Sequence, residues 1–431
     1  MKSSNMGNLS GEEKALALDR DDPLQYFREK FLIDDPFVIY LDGNSLGRLP
    51  LSSIRYLEQV VQDQWGTHLI NSWNKDWYRK SSEIGDKIAT IIGASPGEVI
   101  VSDNTSVNLY KLAFAALNYQ KNRKVILTDE FNFPSDVYIL QSIIQITGEK
   151  FHLELLKSED GISVAEKELN QKINESAALL TLSHVTFKSA FMYDMKKVTQ
   201  LAHEVGALML WDLSHSAGVV PIELNACQVD LAVGCTYKYM NAGPGAPAFL
   251  YVRKDLQEKL TSPVWGWFGA DDPFDFKLDY IPDKGIRKFL TGTPPIISLS
   301  AIEPGLDMIL GAEIAKIRSR SIALSEYFIE QFNDQLLKYG FGLASPKSSD
   351  LRGSHVSLKH QEAFRIIKAM MDKSVDGYEI IPDFRPPDNI RFGFAPLYNS
   401  FHEIYITIKK LDQIVRQRLF ENYDHMKEDV T

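Results

Sequence analysis

Residues 98–146 read EVIVSDNTSVNLYKLAFAALNYQKNRKVILTDEFNFPSDVYILQSIIQI. A short β-rich run (EVIVSD) gives way to a helical one (TSVNLYKLAFAALNY), then to a second strand-like run (KVILTD) and a second helix (SDVYILQSIIQI). The same order continues with ALLTLSHV at 178–185, DMKKVTQLAHEVG at 194–206 and ALMLWDLS at 207–214. Near-continuous apolar strands alternating with helices predict an α/β fold, a mainly parallel sheet sandwiched between helices. In such sheets ligands gather at the carboxyl ends of the strands. That rule singles out Thr105 and Ser106, the turn Phe133-Pro134-Ser135-Asp136, Ser183, Asp212 and His215.

Beyond TGTPP at 291–295 the character changes. A long amphipathic segment at 297–338 is followed by short strands (SHVSLKH at 354–360, NIRFGFAPLY at 389–398) and a closing helix from about 401 to 421. This predicts a smaller α+β domain over 297–431 and a large domain over 61–296. The segment 1–60, with its DGNSLGRLP turn at 42–50, is expected to pack with the small domain or across a dimer interface. No internal repeat is visible.

The 431 residues, 44% hydrophobic and 24% charged, have the composition of a soluble globular protein. A net charge of −10 argues against nucleic acid as a partner and for small molecules. Cys227 and Cys235, the only cysteines, do not make a disulfide framework and fit a reducing compartment. The first twenty residues hold no apolar core of signal-peptide length, and no later stretch reaches the length of a membrane span. The expected location is the cytoplasm, with no membrane partner.

The chemistry concentrates in Asp212-Leu-Ser-His215 and in Thr236-Tyr237-Lys238-Tyr239, which is followed by the glycine-rich turn NAGPGAP. A carboxylate at one strand end and a lysine at the next suit a pyridine cofactor bearing an aldehyde. The carboxylate keeps the ring nitrogen protonated, and the lysine bonds to the aldehyde carbon. The blander readings are a capping aspartate and a solvated lysine. Lys238, flanked by tyrosines in an apolar stretch, is poorly placed for solvation. Asn104-Thr-Ser-Val-Asn108 joins a strand to a helix and offers backbone N–H groups and hydroxyls to a phosphate; an ordinary N-cap is the alternative. Phe133 to Asp136 offers an aromatic face and a carboxylate, or simply a helix start.

Taken in order, NSLG (44–47), NTSVN (104–108), FPSD (133–136), DLSH (212–215), TYKYMNAGPGAP (236–247), WGWFG (265–269), TGTPP and RFGFAPLYNSF (391–401) resemble kynureninase along nearly the whole chain. The resemblance implies a fold-type-I enzyme of the class V aminotransferase-like superfamily, with pyridoxal 5'-phosphate as cofactor and no metal. The activity implied is hydrolysis of kynurenine, with 3-hydroxykynurenine as an alternative substrate, to anthranilate or 3-hydroxyanthranilate and alanine in tryptophan degradation. It further implies a homodimer with shared active sites.

Carried over by residue, Lys238 is the cofactor lysine and Asp212 the pyridinium partner. Thr105, Ser106 and Tyr237 are phosphate ligands, Phe133 stacks on the ring, and Pro134, Ser135, Asp136, Ser183 and His215 border it. Trp267 and Thr293 come from the second subunit; the family often has Asn where Thr293 stands, which weakens that contact. Tyr237 is either the proton donor that completes alanine or a plain phosphate ligand. Arg391 matches a substrate α-carboxylate with its planar fork, the alternative being an ion pair with Asp388 or Glu403. Ser45, Trp73, Trp265 and Phe268 are candidates for the aryl pocket. Other fold-type-I enzymes, such as an aminotransferase or β-lyase, and a cofactor-binding regulator without turnover remain alternatives. A cysteine desulfurase is disfavoured, because both cysteines lie on the approach to Lys238 rather than on a mobile loop.

Overall fold

The computed structural model describes residues 10–424. Its strands are β1 (Val38–Tyr40), β2 (Val99–Val101), β3 (Val125–Asp129), β4 (His152–Leu156), β5 (Ala177–Ser183), β6 (Leu208–Asp212), β7 (Leu231–Gly234), β8 (Phe249–Val252), β9 (Gly342–Leu343), β10 (His355–Lys359), β11 (Glu379–Ile381), β12 (Asp383–Arg385) and β13 (Asn389–Gly393). Seven of them form the large sheet in the order β2-β8-β7-β6-β5-β3-β4. Strands β3 to β7 run parallel, and β8 is antiparallel to both its neighbours.

Every residue of β3, β5, β6, β7 and β8 is buried, which is why these strands read as unbroken apolar runs. Successive side chains serve opposite faces. Met209 and Trp211 enter one core with Leu180, Leu182, Ala232 and Phe249. Leu208 and Leu210 enter the other with Leu179, Leu231, Val233 and Leu250, beneath the helices Thr105–Tyr119 and Pro134–Ile146. Parallel strands covered on both faces bring their carboxyl ends out along one edge, and that edge carries the site.

The second sheet, β12-β13-β10-β9, is antiparallel and packs with the helices Ile314–Gln335, Ala363–Met371 and Phe401–Arg416 around its own core. The amphipathic segment expected as one unit at 297–338 is broken. Ile296–Ser300 and Ile302–Ala312 precede Glu313, which turns the chain with a positive φ of 66° before Ile314–Gln335 begins. The physical reason is a change of partner. Leu299, Ile302, Leu306 and Ile309 pack into a core of the large sheet, whereas Leu324, Phe328 and Phe332 cover the small one. The large-sheet core therefore extends past residue 296.

The N-terminal segment joins both bodies. Its strand β1 pairs in parallel with β11, and Phe27 and Phe31 enter the large-sheet core. Between these contacts the turn Asp42–Gly47 lies on the loop that carries Lys238. Gly47 N–H donates to Tyr237 O at 2.8 Å. A Cβ on Gly47 would stand well inside van der Waals contact with the Lys238 carbonyl oxygen and 2.8 Å from Asn241 Cα. Because two of the three obstructing atoms are backbone and the third is the Asn241 amide oxygen, Gly47→Ala is expected to cost about 1–3 kcal/mol of stability through overpacking. A denaturant midpoint equal to that of the native protein would refute this packing.

Candidate active site

Four strand ends supply the centre. Asp212 ends β6 and is buried. Its Oδ1 accepts from Ser214 N at 2.8 Å and from Ser214 Oγ at 2.6 Å, while among the described residues Oδ2 receives only a long 3.5 Å contact from Ser183 Oγ. Burial pushes the Asp212 carboxyl up, against the opposing pull of the Ser214 hydroxyl and Lys238. Asp136, in the first turn of the helix after β3, is also buried, and its Oδ2 has no hydrogen-bond partner among the described residues. Desolvation and the nearby Asp212 hold its carboxyl well above the usual range. Two buried carboxylates with open acceptor edges face one locality, and Lys238 is the cation that acts on both. Such an arrangement is costly unless a further positive or donating group arrives.

Lys238 lies in the turn after β7, with its Nζ 2.9 Å from His215 Nε2. Burial, followed by the charges of Lys238 and Arg391, holds the His215 imidazole well below its ordinary value. His215 is therefore neutral at neutral pH and can accept from the ammonium. Its Nδ1 is buried without a hydrogen-bond partner among the described residues, and the His355 ring of β10 lies 5.5 Å away between centroids. Tyr237 is half-buried beside the lysine, and burial pushes its hydroxyl up, so the phenol stays protonated.

The cradle forms where two helices begin. Asn104 caps the helix Thr105–Tyr119 by accepting from Val107 N, leaving Thr105 and Ser106 at its open end. Ser106 Oγ lies 2.6 Å from Ser135 Oγ at the start of the neighbouring helix Pro134–Ile146. Convergent helix N-termini and hydroxyls favour an anion. Phe133, about 42% exposed, meets Phe187 edge-on at 5.3 Å and leaves a face open. Ser183 is tied by a 2.7 Å bond to Asn132 Oδ1, a residue that sequence reasoning missed.

Arg391 sits on β13, fully buried, and its guanidinium is occupied by protein acceptors. Nη1 donates to Phe187 O at 2.7 Å and Nη2 to Ser45 Oγ at 2.8 Å. With its amide oxygen turned toward the guanidinium, Asn44 accepts from Nε at 2.9 Å. The ion-pair partner is Asp383, not Asp388 or Glu403. Glu403 instead pairs with Arg28. The reason is register: β12 and β13 form a hairpin in which Asp383 stands directly opposite Arg391. Reading Pro386-Pro387-Asp388 as a hairpin turn would have found it. Ser45, expected in an aryl pocket, lies instead between Arg391 and Asp383.

Trp73, half-buried, packs 5.5 Å from Trp77 and 5.6 Å from Phe268, and Trp267 meets Phe268 at 4.5 Å. Phe268 is completely buried in the core beneath, so it does not line an open pocket as expected; it carries Trp73 and Trp267. Trp265 stacks on Tyr280 at 4.8 Å, and Thr293 is exposed.

Comparison with known proteins bears on this arrangement. A family model described as the kynureninase C-terminal domain matches residues 317–411. A kynureninase of Pseudomonas fluorescens is 41% identical over 415 residues, spanning 95% of this chain and 97% of its own. The chain belongs to the kynureninase family. Another kynureninase, from Burkholderia pseudomallei (strain K96243), is 40% identical over 412 residues, covering 94% of this chain and 96% of that one. Solved structures similar to it include a cysteine desulfurase from Thermococcus onnurineus NA1, with a TM-score of 0.75 at 20% identity over 93% of this chain and 98% of that one. A cysteine desulfurase from Escherichia coli aligns with a TM-score of 0.76 at 14% identity over 91% and 98% of the two chains. These structural likenesses show the fold, which is the fold-type-I architecture. Among the described residues no helix is long and apolar enough to cross a membrane.

Proposed function

We propose that this chain is a pyridoxal-phosphate-dependent kynureninase that hydrolyses L-kynurenine to anthranilate and L-alanine. The observation that carries the proposal is the grouping of Lys238, Asp212 and Asp136 at the strand ends beside the Ser106–Ser135 cradle, in a chain 41% identical to a kynureninase over its length. The residues fit the cofactor. Asp212 and Asp136 have open buried oxygens for a ring N–H and a ring hydroxyl, and two helix starts meet where the phosphate would lie. A solved relative by fold is described as holding glycine linked to its PLP cofactor.

The cofactor, when bound, supplies an electron sink joined to the substrate's α-carbon. Lys238 would hold the aldehyde carbon of the bound cofactor and, as a free amine, would move the proton at the substrate's α-carbon. His215 accepts from Lys238 Nζ and so keeps that amine aimed. Asp212 would hold the proton on the ring nitrogen. Thr105, Ser106, Ser135 and Tyr237 would bind the phosphate, Phe133, placed by Pro134, would stack on the ring, and Ser183 would support Asp212. Tyr237, kept protonated by burial, moves a proton to the three-carbon fragment that becomes alanine. Arg391 binds the α-carboxylate. Water adds to the aryl ketone, and the hydrate collapses with loss of anthranilate.

We further propose a homodimer in the cytoplasm, in which Trp267, Thr293 and the surface carried by Phe268 complete the partner's pocket. Residues 1–60 would act as an arm, 61–296 together with the helices up to Ala312 as the cofactor domain, and the remainder to 431 as the small domain. The exposure of Trp265 (60%), Phe276 (72%) and Leu278 (103%) supports a covered surface there. Trp73 would border the substrate's aromatic ring and favour kynurenine over its 3-hydroxy derivative. Its single indole donor gives that extra hydroxyl little to pair with, a desolvation cost of about 1–3 kcal/mol. Product analysis with both substrates tests these readings. Anthranilate and alanine are expected, with specificity constants favouring kynurenine by about tenfold, and Trp73→His should narrow the ratio. Absence of anthranilate refutes the activity, and an unchanged ratio refutes the role of Trp73.

A further inference from the structure

The guanidinium proposed to anchor the substrate is not waiting open. Nη2 of Arg391 is paired with Asp383 Oδ2, and Ser45 Oγ both accepts from that nitrogen at 2.8 Å and donates to the same carboxylate oxygen at 3.1 Å. Asp383 and Arg391 are each about 1% exposed. An incoming carboxylate therefore finds the fork already holding a carboxylate. It cannot engage two N–H groups in parallel until one protein acceptor yields.

An exit for that acceptor is built in. Arg385 Nη2 lies 2.7 Å from the same Oδ2 of Asp383, and Arg385 Nε is buried without a hydrogen-bond partner among the described residues. A carboxylate leaving Arg391 can close a two-pronged pair on Arg385 with little travel, because both arginines and Asp383 belong to one hairpin. Asp42, the other acid in reach, has its Oδ1 3.9 Å from Arg391 Nη2. Burial and then the charge of Asp383 push its carboxyl up to about 7, so it is the weaker competitor for the guanidinium.

We propose that Asp383 is a positioning residue that occupies Arg391 as a stand-in carboxylate and transfers to Arg385 when the substrate's carboxylate arrives. The exchange keeps every buried charge paired throughout, which avoids the cost of exposing a lone buried guanidinium to a low-dielectric interior. It rests on the reading of Arg391 as the carboxylate anchor. It also makes the anchor selective, since a ligand without a carboxylate gains nothing by displacing Asp383.

The test uses the holoenzyme and two non-reactive probes, benzoylpropionate and its uncharged amide, with dissociation constants measured by calorimetry. The native protein should bind the acid about tenfold or more tighter than the amide. No preference for the acid would overturn the anchor reading and this inference together. In Asp383→Asn the acid should bind about tenfold tighter than in the native protein, with the amide unchanged. Equal or weaker binding of the acid there overturns the exchange while leaving the anchor standing, because an aspartate that merely orients Arg391 would give that sign. Arg385→Gln should act oppositely, weakening the acid severalfold and sparing the amide. If Asp383→Asn does not fold, this second variant decides: unchanged or tighter binding of the acid overturns the proposal.

Discussion

Replacing Lys238 by alanine is expected to lower turnover of kynurenine by on the order of ten-thousand-fold, the scale on which a positioned proton-transfer group acts. Its Nζ is held 2.9 Å from a histidine that burial keeps neutral, at a strand end where two buried carboxylates have open edges. Lys111, the buried lysine of the helix after β2, cannot substitute, because it is engaged by Asp103 and by Phe289 O. The variant should also lose the borohydride-stable label that the native protein takes up at this position. Steady-state kinetics together with peptide mapping of the reduced protein checks both. Activity within tenfold of the native enzyme, or a label that persists elsewhere in the chain, would dismiss Lys238 as the cofactor lysine.

Asp212→Asn carries the second large effect, with opposite signs in two states of the protein. With cofactor bound, the amide cannot hold a proton on the ring nitrogen by charge, and a loss of about 100- to 1,000-fold in turnover is expected, comparable to removing one preorganised electrostatic group. Without cofactor the substitution should not destabilise. The folded-state carboxyl of Asp212 is raised by burial, so ionisation favours the unfolded chain. Its penalty grows as pH rises from the unfolded carboxyl's value toward the raised folded one, and an uncharged side chain escapes it. Thermal unfolding at neutral pH should give an apoprotein midpoint at or above that of the native apoprotein. The holoprotein should gain less from added cofactor than the native one does. A large drop in the apoprotein midpoint would show Asp212 to be structural instead.

The large sheet was legible because its strands are buried on both faces and therefore leave unmistakable apolar runs. β6 ends at Asp212 and the helix after β2 begins at Thr105, where periodicity and the strand-end rule placed them. What stayed hidden depends on contacts between distant segments. Glu313 interrupts a helix whose amphipathic pattern runs straight through it, because the interruption is imposed by two different cores. Asp383 was missed because its importance lies in cross-strand register, and a two-residue slip would have aimed another side chain at Arg391. Phe268 reads like any pocket aromatic, and only packing shows it to be the floor beneath Trp73 and Trp267.

The turn Asp42–Gly47 has a consequence for biosynthesis. Ser45 and Arg391, which bond to one another, lie 346 residues apart, and Gly47 bonds to the loop of Lys238 from the far end of the chain. A ribosome releases the turn long before either of its docking surfaces exists, so the N-terminal arm must stay undocked while the cofactor domain folds behind it. Closing so long a loop is slow. Lys238 can thus be made, and even folded into its sheet, while the wall that confines it is still missing. Nascent chains arrested before β13 should leave that lysine open to amine-reactive reagents, and completion of the last strand should shield it.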